Sequence, residues 1–195
     1  VAYSAVARRA AELDPAAHKR LDSLGWVPFD AGGETAVPSF AAFFRGLGKT
    51  VATIFDRQEP GAAAAIQLVC DRAFEQPYAG FEHLLRDEIT PDMQRWFVQW
   101  LNFYGEWPAA LAAQLPAEGS PDAAYAAPFL ALFKHKKGDE YLTIFFGQCD
   151  GVGRFPRTMM QILSELRAMV EAPPPPPPVP IPPIPAAPVP PVAGG

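Results

Sequence analysis

The stretch Leu47-Gly48-Lys49-Thr50-Val51-Ala52-Thr53-Ile54-Phe55-Asp56 decides the fold. It is short, rich in β-branched residues, bounded by Gly48 and Pro60, and almost continuously apolar, as a strand covered on both faces must be. It ends on an aspartate. Upstream, Trp26-Val27-Pro28-Phe29-Asp30 is a second apolar run, closed by Ala31-Gly32-Gly33, and it reads as a buried strand feeding a glycine turn. Between the two runs Phe40, Phe43, Phe44 and Leu47 recur at helical spacing, with Thr35 as the expected N-cap, Pro38 near the first turn and Gly48 as the stop. Strand, glycine turn, helix, strand and a further helix form a βαβα run. Such a run predicts an α/β fold with a Rossmann-like parallel sheet and helices on its faces. In open sheets of this kind the ligand lies at the carboxyl ends of the strands. Asp30, Gly32, Gly33 and Asp56 are all expected there.

Working outward, residues 1–24 place Tyr3, Val6, Ala10 and Leu13 on one helical face, away from Arg8, Arg9 and Glu12. Residues 60–114 turn helical, with an Ala-rich stretch over 61–74 and further helices over 81–88 and 93–103, so an all-helical block is expected as an insertion in the α/β frame. A Gly/Ser/Pro/Asp-rich link at 116–122 leads to helical stretches near 123–136 and 156–171. Between them Tyr141-Leu142-Thr143-Ile144-Phe145-Phe146 has strand propensity.

Composition bounds the function classes. The chain has 195 residues, and its last part, 173–195, contains only Pro, Val, Ile, Ala and Gly. That tail is expected to be a disordered or spacer-like polyproline segment, with recognition by a proline-binding partner as the alternative. The remaining 1–172 is expected to be one domain. It carries all of the net charge of −5, which excludes a binder that holds nucleic acid by bulk positive charge. The 49% hydrophobic content excludes a wholly disordered chain. Cys70 and Cys149 belong to no CxxC or Cys/His cluster and read as reduced thiols of a cytoplasmic protein. No apolar run reaches membrane-spanning length, so no membrane partner is expected.

The segments 24–35 and 47–56, with Tyr78-Ala79-Gly80-Phe81-Glu82-His83-Leu84-Leu85, Leu132-Phe133-Lys134-His135-Lys136-Lys137-Gly138 and Phe155-Pro156, resemble in order and spacing a Toprim domain. The resemblance is to the C-terminal Toprim region of the overcoming-lysogenization-defect (OLD) family of ATP-dependent endonucleases, and it covers most of 1–171. In that family a glutamate motif precedes the first helix, a Gly-Gly turn follows the second strand, an Asp-x-Asp motif follows the third, and a lysine lies near the end. The resemblance implies metal-dependent DNA nicking or cleavage with Mg2+ or Mn2+, controlled by an upstream ABC-type ATPase domain. A homodimer is a further candidate assembly. Hard carboxylate oxygens suit these cations, and two such ions can activate water and stabilise the leaving oxygen.

Two departures bear on the metal site. The glutamate motif is expected upstream of Val1, in a missing segment, and Gln58 stands where the second aspartate of the motif would be. The metal candidates are therefore Asp56, Gln58, Asp30 and Glu82, with Glu34 and Asp71 behind them. Each has a plainer reading: Asp56 as a helix cap, Asp30 and Glu34 as solvated loop charges, Glu82 as an exposed helix charge. Gly32 and Gly33 satisfy a positive-φ turn and would also let backbone approach a phosphate. Lys137 is the candidate catalytic residue, able to stabilise developing negative charge, with Lys134 and Arg154 or Arg157 as phosphate contacts. Trp96, Trp100, Phe103, Tyr104 and Trp107 read as helix packing before base stacking. Two other readings remain open: a Toprim-derived binding module whose catalysis has decayed, favoured by Gln58, and an unrelated nucleotide-binding regulatory domain.

Overall fold

A computed structural model describes residues 2–135 and 139–171. The chain starts with α1 (Ala2–Leu13), which buries Val6, Ala7 and Ala10 at the spacing read from the sequence. Next come α2 (Val37–Gly46), β1 (Ala52–Phe55), α3 (Pro60–Val69) and β2 (Arg72–Glu75). The second half is helical: α4 (Phe81–Glu88), α5 (Pro91–Phe103), α6 (Ala126–His135), α7 (Asp139–Gly147) and α8 (Arg157–Glu171). Among the described residues helix dominates, and no helix is long and apolar enough to cross a membrane.

The sheet is one parallel pair, β1 against β2, with Ile54 opposite Phe74 and Phe55 opposite Glu75. Helix α3 provides the crossover that parallel strands require. Side chains alternate across the pair, and each face finds its own cover. Ala52, Ile54 and Phe74 pack with Ala7 of α1 and Ile162 and Leu166 of α8. Val51, Phe55 and Ala73 pack with Ala41 of α2 and Ala63 and Ile66 of α3. A parallel sheet with helices on both faces is therefore present, in two strands.

Three elements differ from the sequence reading. Trp26 to Asp30 form no strand. Pro28 supplies no backbone donor, Val27 is 88% exposed, and the Trp26 indole is anchored by donating to the Leu166 carbonyl at 3.2 Å, so the run is a surface strap rather than a core strand. Thr35 caps nothing; it sits inside a single 3-10 turn, Glu34–Ala36, which leads into α2. The stretch 60–114 is not all helix, because β2 lies within it.

The main core is helical and aromatic. Phe97 of α5 is fully buried, stacks on Trp100 and Phe133 with centroids 6.2 Å away, and meets Phe145 edge-on at 5.0 Å. Half-buried Trp96 and Trp100 pack against this core and Trp107 is buried in it, as the packing reading expected, whereas Phe103 and Tyr104 at the end of α5 are 81% and 61% exposed and depart from it. Tyr141 to Phe146 are helical, within α7, against their strand propensity. Gln94 is buried beneath the end of α4, where its Nε2 donates to the carbonyls of Arg86 and Ile89 at 2.6 and 2.8 Å and satisfies groups that a helix end leaves open.

Candidate functional site at the carboxyl ends of the strands

Asp56 leaves the last residue of β1 and is half-buried. The strand ends are held together beyond the ladder: Gln76 N–H donates to the Phe55 carbonyl at 2.8 Å and Arg57 N–H to the Tyr78 carbonyl at 2.9 Å. Gln58 N–H donates to Glu75 Oε1 at 2.9 Å, and its side-chain Nε2 turns back to the Asp56 carbonyl at 3.1 Å. Its Oε1 is the part of the amide that the bond to the Asp56 carbonyl does not use.

Three residues that the sequence did not single out complete the surroundings. Tyr3, from α1, accepts a hydrogen bond from Gln76 Nε2 at 2.9 Å. Burial raises the Tyr3 phenol well above its usual range, and the negative charges of Asp56 and Glu88 push it further. The phenol stays neutral. Gln76 is buried and its Oε1 has no hydrogen-bond partner, an unusual state for an interior amide. Glu88, at the end of α4, accepts from Tyr78 Oη at 3.0 Å, from Thr158 N–H at 2.8 Å and from Thr158 Oγ1 at 2.6 Å. Glu88 is thus a cap on the first turn of α8, where the helix dipole favours a carboxylate, and its oxygens are committed. Burial, followed by the bond to Glu88, raises the Tyr78 phenol.

The other candidates fall elsewhere. Asp30 is exposed and accepts from Gly32 N–H at 2.8 Å, closing its own turn. Gly32 and Gly33 have φ of 76° and 150°, the positive values that their turn requires. Glu82 lies in the first turn of α4 with its carboxylate folded back over Gly80. Asp71 receives Val51 N–H at 2.8 Å and pairs with Arg45 at 3.4 Å, so it clamps the start of β1. Arg154 is engaged by Asp92 at 2.7 Å and Asp150 at 3.6 Å, so a phosphate would have to compete for it. Lys134 is exposed at the end of α6, and Lys137 lies outside the described residues.

Among the described residues no three of His, Cys, Asp and Glu gather closely enough to hold a metal ion. The hard-oxygen donors at the strand ends are the carboxylates of Asp56 and Glu75, the latter already accepting from Gln58 N–H, and the amide oxygens of Gln58 and Gln76. Such a set fits Mg2+, which commonly takes one or two carboxylates and fills its octahedron with water and substrate phosphate. The partnerless Oε1 of buried Gln76 is the observation that favours an oxygen-seeking ligand here. Next to the strand ends, a polar groove of about 580 Å3 runs between β2 and α8, with Arg72, Glu75, Arg157 and Glu165 on its walls. Arg72 is paired with Glu165 across it.

No protein-family model, no curated protein and no solved structure matches the chain.

Proposed function

We propose that the chain is a Toprim-like, metal-dependent DNA endonuclease domain of the OLD type, using Mg2+ or Mn2+ held at Asp56. The observation that carries this reading is the position of Asp56 on the carboxyl end of a parallel strand covered by helices on both faces, where ligands of open α/β sheets bind. Asp56, with the Gln58 and Gln76 amide oxygens, would hold the ion, and the ion would supply water activation and charge stabilisation at a phosphodiester. Tyr3 fixes the Gln76 amide. Arg157, at the mouth of the groove, and the lysines of the 134–137 segment contact the DNA backbone locally, as the net charge of −5 demands. In this reading the family's glutamate and its ABC-type ATPase are supplied from beyond this sequence.

The test is nicking of supercoiled plasmid in Mg2+ or Mn2+. This chain nicks weakly and a chain extended upstream of Val1 nicks fully; Asp56→Ala abolishes nicking in both, while its metal-free DNA binding is unchanged because no phosphate contact is removed.

A second reading, a binding module whose catalysis has decayed, is favoured by one contact. Gln58 spends its amide donor on the Asp56 carbonyl, and no second carboxylate stands at that position. DNA binding without metal-dependent nicking, in a chain extended upstream of Val1 as well as in this one, selects it.

A further inference from the structure

The segment 26–30 and the outer side of α2 carry an aromatic surface that the proposed site does not use. The Phe29 ring sits edge-on to Phe40 and Phe44, with centroids at 4.7 and 5.3 Å, and Phe43 meets Phe44 at 5.4 Å. Phe29 remains 56% exposed and Phe43 60% exposed, and Phe40, Leu47 and Val27 are exposed beside them. A cluster of large apolar side chains open to solvent marks an interaction surface more often than a bare one.

We propose that this surface is the docking site for the chain's own proline-rich segment, residues 173–195. The chemistry matches: the segment is uncharged and built only of Pro, Val, Ile, Ala and Gly. Chains so rich in proline favour polyproline II, whose prolines dock on aromatic-lined surfaces with little conformational entropy left to lose.

The geometry matches as well. A single residue separates the segment from the end of α8, and the C-terminal half of that helix holds Trp26, at the start of the 26–30 run. Trp26 donates to the Leu166 carbonyl at 3.2 Å and packs in the same apolar cluster as Leu166 and Met169, and Phe29 is only three residues beyond Trp26. At about 3.1 Å per residue, ten residues of polyproline II reach about 30 Å, roughly the diameter of a domain of this size. Covalent attachment gives an effective concentration in the mM range, so contacts too weak to hold a free peptide suffice.

The experiment uses the full chain with Ala187→Cys carrying a nitroxide label. Cys70 and Cys149 are buried, and burial raises both thiols, so labelling is directed to the new cysteine. The amide signals of Phe29, Phe40 and Phe43 are expected to lose most of their intensity, independently of dilution, and to recover in a Phe29→Ser/Phe43→Ser double variant. These two rings are largely exposed, so the variant keeps the fold. Undiminished signals at the patch, or broadening centred elsewhere, would overturn the proposal. Broadening that disappears on dilution would overturn it too, by assigning the surface to a second copy of the chain.

Discussion

Glu88 and Thr158 stand seventy residues apart and are joined twice, the carboxylate accepting the Thr158 amide at 2.8 Å and its hydroxyl at 2.6 Å. The bond fixes the end of α4 to the first turn of α8, and with it the groove wall that carries Arg157. Glu88→Ala should cost about 1–3 kcal/mol, because Thr158 and Tyr78 lose a charged acceptor, and Glu88→Gln should cost less. Urea denaturation of both variants measures this; an unchanged midpoint in Glu88→Ala would show that the lock is idle.

Gln58→Asp restores a carboxylate at the strand end and removes the amide donor now spent on Asp56. If Asp56 anchors a cation, Mn2+ affinity measured by calorimetry should rise by about tenfold or more, since ligand charge sets the strength of such sites. Lys137→Ala should leave that affinity intact and slow nicking by a factor of about 10². Parallel losses in both measurements would remove Lys137 from its assigned role.

Stability should fall in alkali. Burial pushes the Cys149 thiol up to about 11, with nearby Asp150 adding to the rise, against about 8.5 for a solvated thiol. A folded pKa above the unfolded one means the native state holds its proton more tightly. The associated stability is complete below pH ~8.5 and is lost as pH rises toward ~11, by about 3 kcal/mol for this group. Tyr3 and Tyr78, both raised, extend the loss to higher pH. Urea midpoints taken from about pH 8 to 11 should decline, and Cys149→Ala should flatten the first part of that slope.

Gln94→Leu keeps the bulk and removes both donors to the Arg86 and Ile89 carbonyls. Two helix-end carbonyls then lie beneath apolar cover, at about 1–3 kcal/mol each. Each kcal/mol corresponds to roughly 2–4 °C in Tm for a domain of this size, so calorimetry should show a clear downward shift. A Tm equal to the parent's would mean that the carbonyls find water instead.

The helices were legible where one face repeats. In α1, Val6 and Ala10 are buried as their spacing says, and in α5 Phe97 and Leu101 do the same. In α7 the pattern was present but outvoted: Tyr141, Leu142, Phe145 and Phe146 are the buried positions, a helical period that β-propensity at Thr143 and Ile144 obscured. Strand β2 was not legible, because Arg72-Ala73-Phe74-Glu75 offers two apolar residues between two charges and adjoins an Ala-rich helix. Only its partner strand makes it a strand. The apolar run at Trp26 misled in the opposite sense, since its rings cover the surface instead of filling the core. In the site, Asp56 could be read from the end of a strong strand. Tyr3, Gln76 and Glu88 could not, because a helix at the chain's start, the end of a hidden strand and the charged run Arg86-Asp87-Glu88 meet there only through tertiary packing.

The stitching of the chain's two ends has a consequence for biosynthesis. Arg9 donates to the Cys149 carbonyl and Trp26 to the Leu166 carbonyl, each across 140 residues, and Arg167 donates to the Ala17 carbonyl across 150. At about 5–20 residues per second, α1 leaves the ribosome roughly 7–30 s before its partners exist. For that interval the face bearing Val6 and Ala10 has nowhere native to go. The nascent chain therefore presents a natural client surface to a holding chaperone, one that is withdrawn only when α7, which covers Val6 and Ala10, and then α8, which covers Ala7, have emerged.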